Sequence, residues 1–224
     1  MLDVIASVIV HAVTVAISPV PLVALVVLMV AGSRVAAGVW ASGWFFAVLA
    51  GTFAGAVLGG SSAGNFASGS DGAGGVNWFA LAVSLFFLWF AVTSLRKIPA
   101  PGEVLPEPKW IGGLASMKLT TVFALVVLLM LVNPKNTALY LSMGATIGAA
   151  GVGTAPTVVT IVIVAVIGSA TAIGFTLVAL ILGDKAAAFL AVARGWLIQN
   201  NPLIMGLLFL LLGASEAGKF LHSL

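Results

Sequence analysis

The sequence predicts an all-α integral membrane protein of six transmembrane helices, paired as two inverted three-helix repeats with helices 1 and 4 broken at proline. Three observations lead there. Of 224 residues, 62% are hydrophobic and 7% charged, against about 25% charged in a soluble domain, so the chain lacks the surface that water requires. Six stretches, 2–31, 36–59, 77–95, 119–149, 156–182 and 200–221, approach or exceed the ~20 apolar residues needed to cross a hydrocarbon core. The first and fourth are long and interrupted by proline at nearly equal distances from their starts. Period-two polarity, the mark of a membrane β-barrel, is not seen.

The elements follow in order. The first span is read as retained, not as a cleaved signal, because no Lys or Arg precedes Arg34 and the apolar run continues through Pro19 and Pro21. On the second span, Ala47, Gly51, Gly55 and Gly59 form a small-residue ridge, which permits either close packing inside the monomer or a homodimer contact. Residues 60–76 are rich in Gly and Ser and predict a flexible external loop. After the third span, residues 96–110 carry four prolines and mixed charge, predicting an extended, non-helical cytoplasmic linker. The chain is thus divided into a first repeat (1–95), a linker (96–118) and a second repeat (119–224). The sixth span reaches its length only by including Glu216.

Orientation comes from the basic residues. With the N-terminus outside, the inner loops hold Arg34, Arg96, Lys97, Lys109, Lys118, Lys185 and Arg194, the outer side holds only Lys219, and Lys135 lies within the fourth span. The positive-inside rule then places both termini externally. On this topology Trp40, Trp44, Trp110 and Trp196 fall near the inner interface and Trp78 near the outer one, while Trp89 packs between helices. The pI of about 9.6 reflects topology, and nucleic acid is excluded as a partner.

Three spans per half is an odd number, so the second half starts from the opposite face. Proline-interrupted spans at matching positions of inverted repeats point to a transporter site. Ser18-Pro19 and Asn133-Pro134 both read as helix starts, a capping side chain followed by proline at the first helical position. The restarting N-termini would face each other near the bilayer midplane, each with about half a positive charge and unpaired N–H groups. Lys135 adds a full charge. Such a site prefers a carboxylate, sulfate or phosphate. The competing reading is that proline merely kinks a packed helix. The substrate-binding candidates are Ser18, Pro19, Pro21, Asn133, Pro134, Lys135, Asn136 and Tyr140.

These residues also carry a family resemblance. The pairing of ISPVPLVALVVLM with NPKNTALYLSMGATIGAAG, together with the basic proline-rich linker, resembles the LysE superfamily of small exporters. It is most similar to the GAP branch, which includes sulfolipid-addressing and glycopeptidolipid-addressing proteins. The resemblance implies a bacterial plasma (inner) membrane transporter that moves cell-envelope glycolipids outward. Amino-acid exporters of the superfamily carry Pro-Gly-Pro in the first span, where this chain has Pro19-Val20-Pro21.

Other polar residues admit two readings each. Ser7, His11, Thr14 and Ser18 share one helical face; His11 is either a proton carrier, because imidazole titrates near neutrality, or a histidine bonded to a neighbouring helix. Tyr140 either lines a cavity or bonds across helices. Glu216 can pair with Lys135, carry a proton or reach the outer interface. Catalysis is not expected: Gly213-Ala214-Ser215-Glu216 only superficially matches an intramembrane protease string, and no Walker loop or metal-ligand cluster is seen. With no cysteine in the chain, disulfides and thiolate sites are excluded, and no cofactor is expected. Three functions compete. One is a secondary exporter of an anionic amphiphile, a glycolipid or its precursor, by alternating access at a midplane site. Another is a proton-coupled exporter of amino acids or similar small solutes. The third is an accessory subunit of a larger lipid-export protein.

Overall fold

The computed structural model describes residues 2–31, 33–59, 78–106, 109–222 and 224; the expected Gly/Ser loop at 60–76 lies outside them. Every regular element among the described residues is helical. In chain order they are α1 (Leu2–Ala16), α2 (Pro19–Val30), α3 (Arg34–Gly59), α4 (Trp78–Leu95), α5 (Leu119–Val132), α6 (Pro134–Ala149), α7 (Thr154–Gly168), α8 (Ala170–Leu182) and α9 (Ala187–Leu221), with 3-10 turns at Lys109–Ser116 and Gly183–Ala186. Most of α3 and of α9 is long and apolar enough to cross a membrane alone. Three pairs pass the same test together and bend sharply at their junctions: α1–α2 by 53°, α5–α6 by 73° and α7–α8 by 56°. The protein is a membrane protein.

Two junctions fall on the prolines that the sequence marks. In α2, Pro19 and Pro21 sit in the first turn, where a missing N–H removes no helical bond. The third junction adds a break inside the stretch expected as one unbroken span over 156–182. No proline is present there. Instead the Ser169 hydroxyl donates to the Ala165 carbonyl at 2.6 Å, a back-bond that competes with the helical ladder and bends it. The turn joining α6 to α7 needs glycine, since Gly151 and Gly153 adopt φ of 61° and 87°.

The last span also departs from expectation. Residues 187–199, read as part of an inner loop containing Arg194, are helical and continuous with the sixth span, so α9 runs for 35 residues through Pro202. At 1.5 Å per residue that is about 52 Å. Proline removes one backbone bond, and the packing of α9 against both α4 and α2 holds the helix together across the defect.

Packing puts α2 at the centre. Ten of its twelve residues are buried, as expected for a helix apolar all round, and it touches α3, α8 and α9. On α3, the glycine ridge faces α6 within the same chain. A Cβ at Gly51 would lie 2.5 Å from the Tyr140 ring, and one at Gly55 would lie 2.7 Å from the Tyr140 carbonyl. Of the two readings of the ridge, packing inside the monomer is the one that Gly51 and Gly55 serve here. The tryptophan reading is corrected at Trp89, expected to pack between helices. Trp40 and Trp44 are fully buried and Trp89 is 62% exposed, while Trp78 and Trp196 point outwards; the Trp110 side chain falls outside the description. The linker is not a free tether, because Gln199 of α9 donates to the Glu103 carbonyl and accepts from the Leu105 N–H. Beyond its prolines, residues 109–116 coil into a 3-10 turn, where buried Leu114 anchors a segment expected to stay extended in part.

Candidate functional site

The first break ends α1 with Val15, Ala16 and Ser18 buried in the bundle. The last four carbonyls of a helix have no partner inside it, and in an apolar interior each orphan costs about 1–3 kcal/mol. All four are satisfied here. Val13 accepts from the Ile17 N–H, Thr14 from Lys135 Nζ at 2.8 Å, Val15 from the Ser18 hydroxyl at 2.9 Å, and Ala16 from the Thr171 hydroxyl at 2.5 Å. Lys135 Nζ also donates to the Ile17 carbonyl at 3.0 Å and to Ser18 Oγ at 3.1 Å. Three acceptors therefore match the three donors of an ammonium. Lys135 is completely buried and Ser18 is 1% exposed.

This arrangement alters the expected electrostatics. Lys135 does not stand free beside a helix N-terminus; it caps the carbonyl end of α1, where the helix dipole is negative. Ser18 occupies the N-cap position of α2 but makes no capping bond with its side chain. Its single proton is shared between the Val15 carbonyl and Asn136 Oδ1, 3.3 Å away. The fully buried Asn136 donates in turn to the Met130 sulfur at 3.5 Å. Ser18, Lys135 and Asn136 thus form one polar cluster that ties the two proline breaks together.

The second break is built differently. Asn133 caps α6 as the sequence predicts, its side chain accepting from the Lys135 N–H at 3.0 Å. The carbonyl end of α5 is closed locally by the Thr137 hydroxyl, which donates to both the Leu131 and the Asn133 carbonyls. Pro134 is exposed and faces a cavity of about 710 Å³ between α1, α4, α6 and α9. Its wall is largely apolar, with Phe86, Phe87 and Leu212 among its residues. It also holds His11 and the half-buried Glu216, two groups 205 positions apart that no spacing argument relates.

The remaining candidates spread out. Pro19 lines a separate cavity of about 240 Å³ with Leu105 and Pro106 of the linker, and Pro21 is buried in the core. Tyr140 is packed against Gly51; its buried hydroxyl has no hydrogen-bond partner among the described residues. On the polar face of α1, Ser7 and Thr14 bond carbonyls of their own helix. Sequence reasoning missed Thr171, Thr137 and Trp44, whose indole N–H donates to the Gly168 carbonyl at the third break. A hydroxyl two or three residues past a break is the one local signal that could have flagged the threonines. Nothing in the sequence flags Trp44.

Residues 8–221 match the family described as Sap, sulfolipid-1-addressing protein. No curated protein and no solved structure matches the chain.

Proposed function

This chain belongs to the Sap, sulfolipid-1-addressing protein family, and on that premise we propose that it is a LysE-like secondary exporter moving an anionic amphiphile outward across the bacterial plasma membrane. The substrate class is an envelope glycolipid or its precursor. In this reading the three bent pairs, α3, α4 and α9 make six spans with both termini external. The halves 1–95 and 119–224 form an inverted repeat whose breaks meet at the midplane.

One observation carries the reading: a largely apolar cavity of about 710 Å³ opens at Pro134, next to the buried Lys135. Apolar walls suit hydrocarbon chains, and a lysine one residue from the cavity rim suits their anionic headgroup. The carbonyls of Thr14 and Ile17 hold Lys135 Nζ. A sulfate, carboxylate or phosphate oxygen offers the same kind of acceptor with a full charge, so it competes for Nζ and releases the end of α1. A ligand shifts a conformational equilibrium only through such differential contacts. Midplane charges in membrane proteins commonly mark substrate paths in this way.

Proton-coupled export of a small solute is the second reading, and one observation favours it: Glu216 and His11 line the same cavity. The accessory-subunit reading places function in the linker instead. The test is lipid and metabolite profiling of cell surface and medium for three variants: Lys135→Met, Ser142→Trp to fill the cavity, and a Gly/Ser replacement of residues 99–106. The exporter reading expects the first two to lose surface glycolipid and the third to keep it. Depletion of a small solute from the medium in place of lipid selects the second reading. If Lys135→Met and Ser142→Trp both reach the membrane in native amount and export everything normally, the exporter reading fails and the accessory reading replaces it.

A further inference from the structure

The helices around the second break leave a seam. Among the described residues, α4 packs against α9 and α5 and α6 pack against α3, whereas no extensive helix–helix contact joins α5 or α6 to α4 or α9. Two cavities occupy this seam. The one already described lies beside residues 82–87 of α4. A second, of about 760 Å³, lies beside residues 89–94 of α4 and Lys97 just beyond its end. Both are bounded by Val132 and Pro134, so the break itself is the wall between them. The two cavities therefore adjoin at the break.

The second cavity has a polar end and an apolar body. Lys97, Ser94 and Thr93 contribute the polar groups of that end, Asn133 adds one at the break, and Trp89, Phe90, Leu128 and Leu129 are among the apolar walls. Lys97 is exposed and Trp89 is 62% exposed, so the cavity opens at the surface of the helix bundle. One exposed cation at the end of a hydrocarbon-lined slot complements a lipid with one anionic headgroup: the charge meets the ammonium and the chains lie along the aromatic wall. A soluble anion would make no use of the apolar body.

We propose that this second cavity is the loading site for an anionic lipid, with Lys97 holding the headgroup, and that Val132 and Pro134 at the second break form the gate to the upper cavity. The inference rests on the exporter reading for direction of travel, since that topology puts Lys97 in the inner leaflet. The gate is then the segment that the 73° bend leaves without a continuous helical ladder. Movement of the break would join the two cavities, which gives the broken helix a role that a straight span could not fill.

The test uses the full-length protein in vesicles containing phosphatidylglycerol with a photoactivatable group at the end of one acyl chain. The phosphatidylcholine analogue serves as control and glycerol phosphate as soluble competitor, and labelled peptides are identified by mass spectrometry. The expected result is labelling within residues 89–97 and 128–134 that favours the anionic lipid about fivefold, the weight of one lysine against an anionic headgroup. Lys97→Gln, an exposed substitution that leaves packing intact, removes that preference, and glycerol phosphate does not compete. Equal labelling by the two lipids, no response to Lys97→Gln, or displacement by glycerol phosphate would overturn the loading site. The two proposals fail separately. If Lys97-dependent labelling persists while Lys135→Met and Ser142→Trp export normally, the lipid site stands and the exporter reading falls. If those variants lose export but labelling ignores Lys97, the exporter stands and the loading site falls.

Discussion

The two proline breaks look alike in sequence and behave as opposites in structure. At the first, α1 ends against donors from three separate places: Lys135 of α6, Thr171 of α8 and the adjacent Ser18. The helix that follows is almost wholly buried. At the second, the capping groups are local, Thr137 and Asn133. Of α5 only Val122, Val126 and Met130 are buried, and cavities lie on either side of Pro134. At these two sites proline sets where the helix parts. What surrounds the parted ends decides whether the place is an anchor or a joint. The first break has the features of an anchor and the second those of a joint.

Breaking the anchor should give the largest effect. Lys135→Met strands the Thr14 and Ile17 carbonyls at the end of α1, so stability in detergent should fall by about 2–6 kcal/mol, at about 1–3 kcal/mol per orphaned group. Pro134→Ala, at the exposed joint, should change it by less than about 1 kcal/mol. A denaturant titration of both variants checks the ordering, and equal losses would erase the distinction between the breaks.

Next comes the surface that α6 rides on. Gly55→Leu drives a side chain into the Tyr140–Leu141 backbone, which cannot yield as a flexible side chain does, and should cost about 1–3 kcal/mol as overpacking. The same experiment read by mass in nanodiscs tests the ridge from the other side: subunit number should not change.

Smaller effects sharpen the contrast further. Thr171→Val uncaps only the Ala16 carbonyl and should cost about 1 kcal/mol. Thr137→Val, beside the cavity, should cost less and instead raise cysteine accessibility at a Val132→Cys reporter, which is clean because the native chain has no cysteine. Smallest of all, Gln199→Ala should leave stability within about 0.5 kcal/mol. It should nonetheless speed proteolysis of the linker at residues 103–105, whose tie to α9 passes through that one side chain.

Local chemistry made much of this legible. Proline without an N–H at positions 19 and 134, Asn133 as a cap and the unbroken run of α2 are properties of a few neighbouring residues, and each reads the same in sequence and in space. The third break escaped because Gly168-Ser169 contains no proline and a serine back-bond has no unique signature. The length of α9 escaped because Asn200-Asn201-Pro202 looks like a boundary until α4 and α2 are packed on either side.

What the sequence determined by itself is the membrane class, the helical fold and the position of both proline breaks, since apolar composition and a missing backbone donor act locally. Only the tertiary structure decided what surrounds the breaks. The carbonyls of α1 must find donors somewhere in an interior without water, and the donors that reach them, Lys135 and Thr171, lie more than a hundred residues away along the chain. The same holds for His11 and Glu216, which share a cavity only because α1 and α9 meet around it. Hydrogen-bond demand in a dry core is met by proximity in space, and sequence spacing carries no record of it.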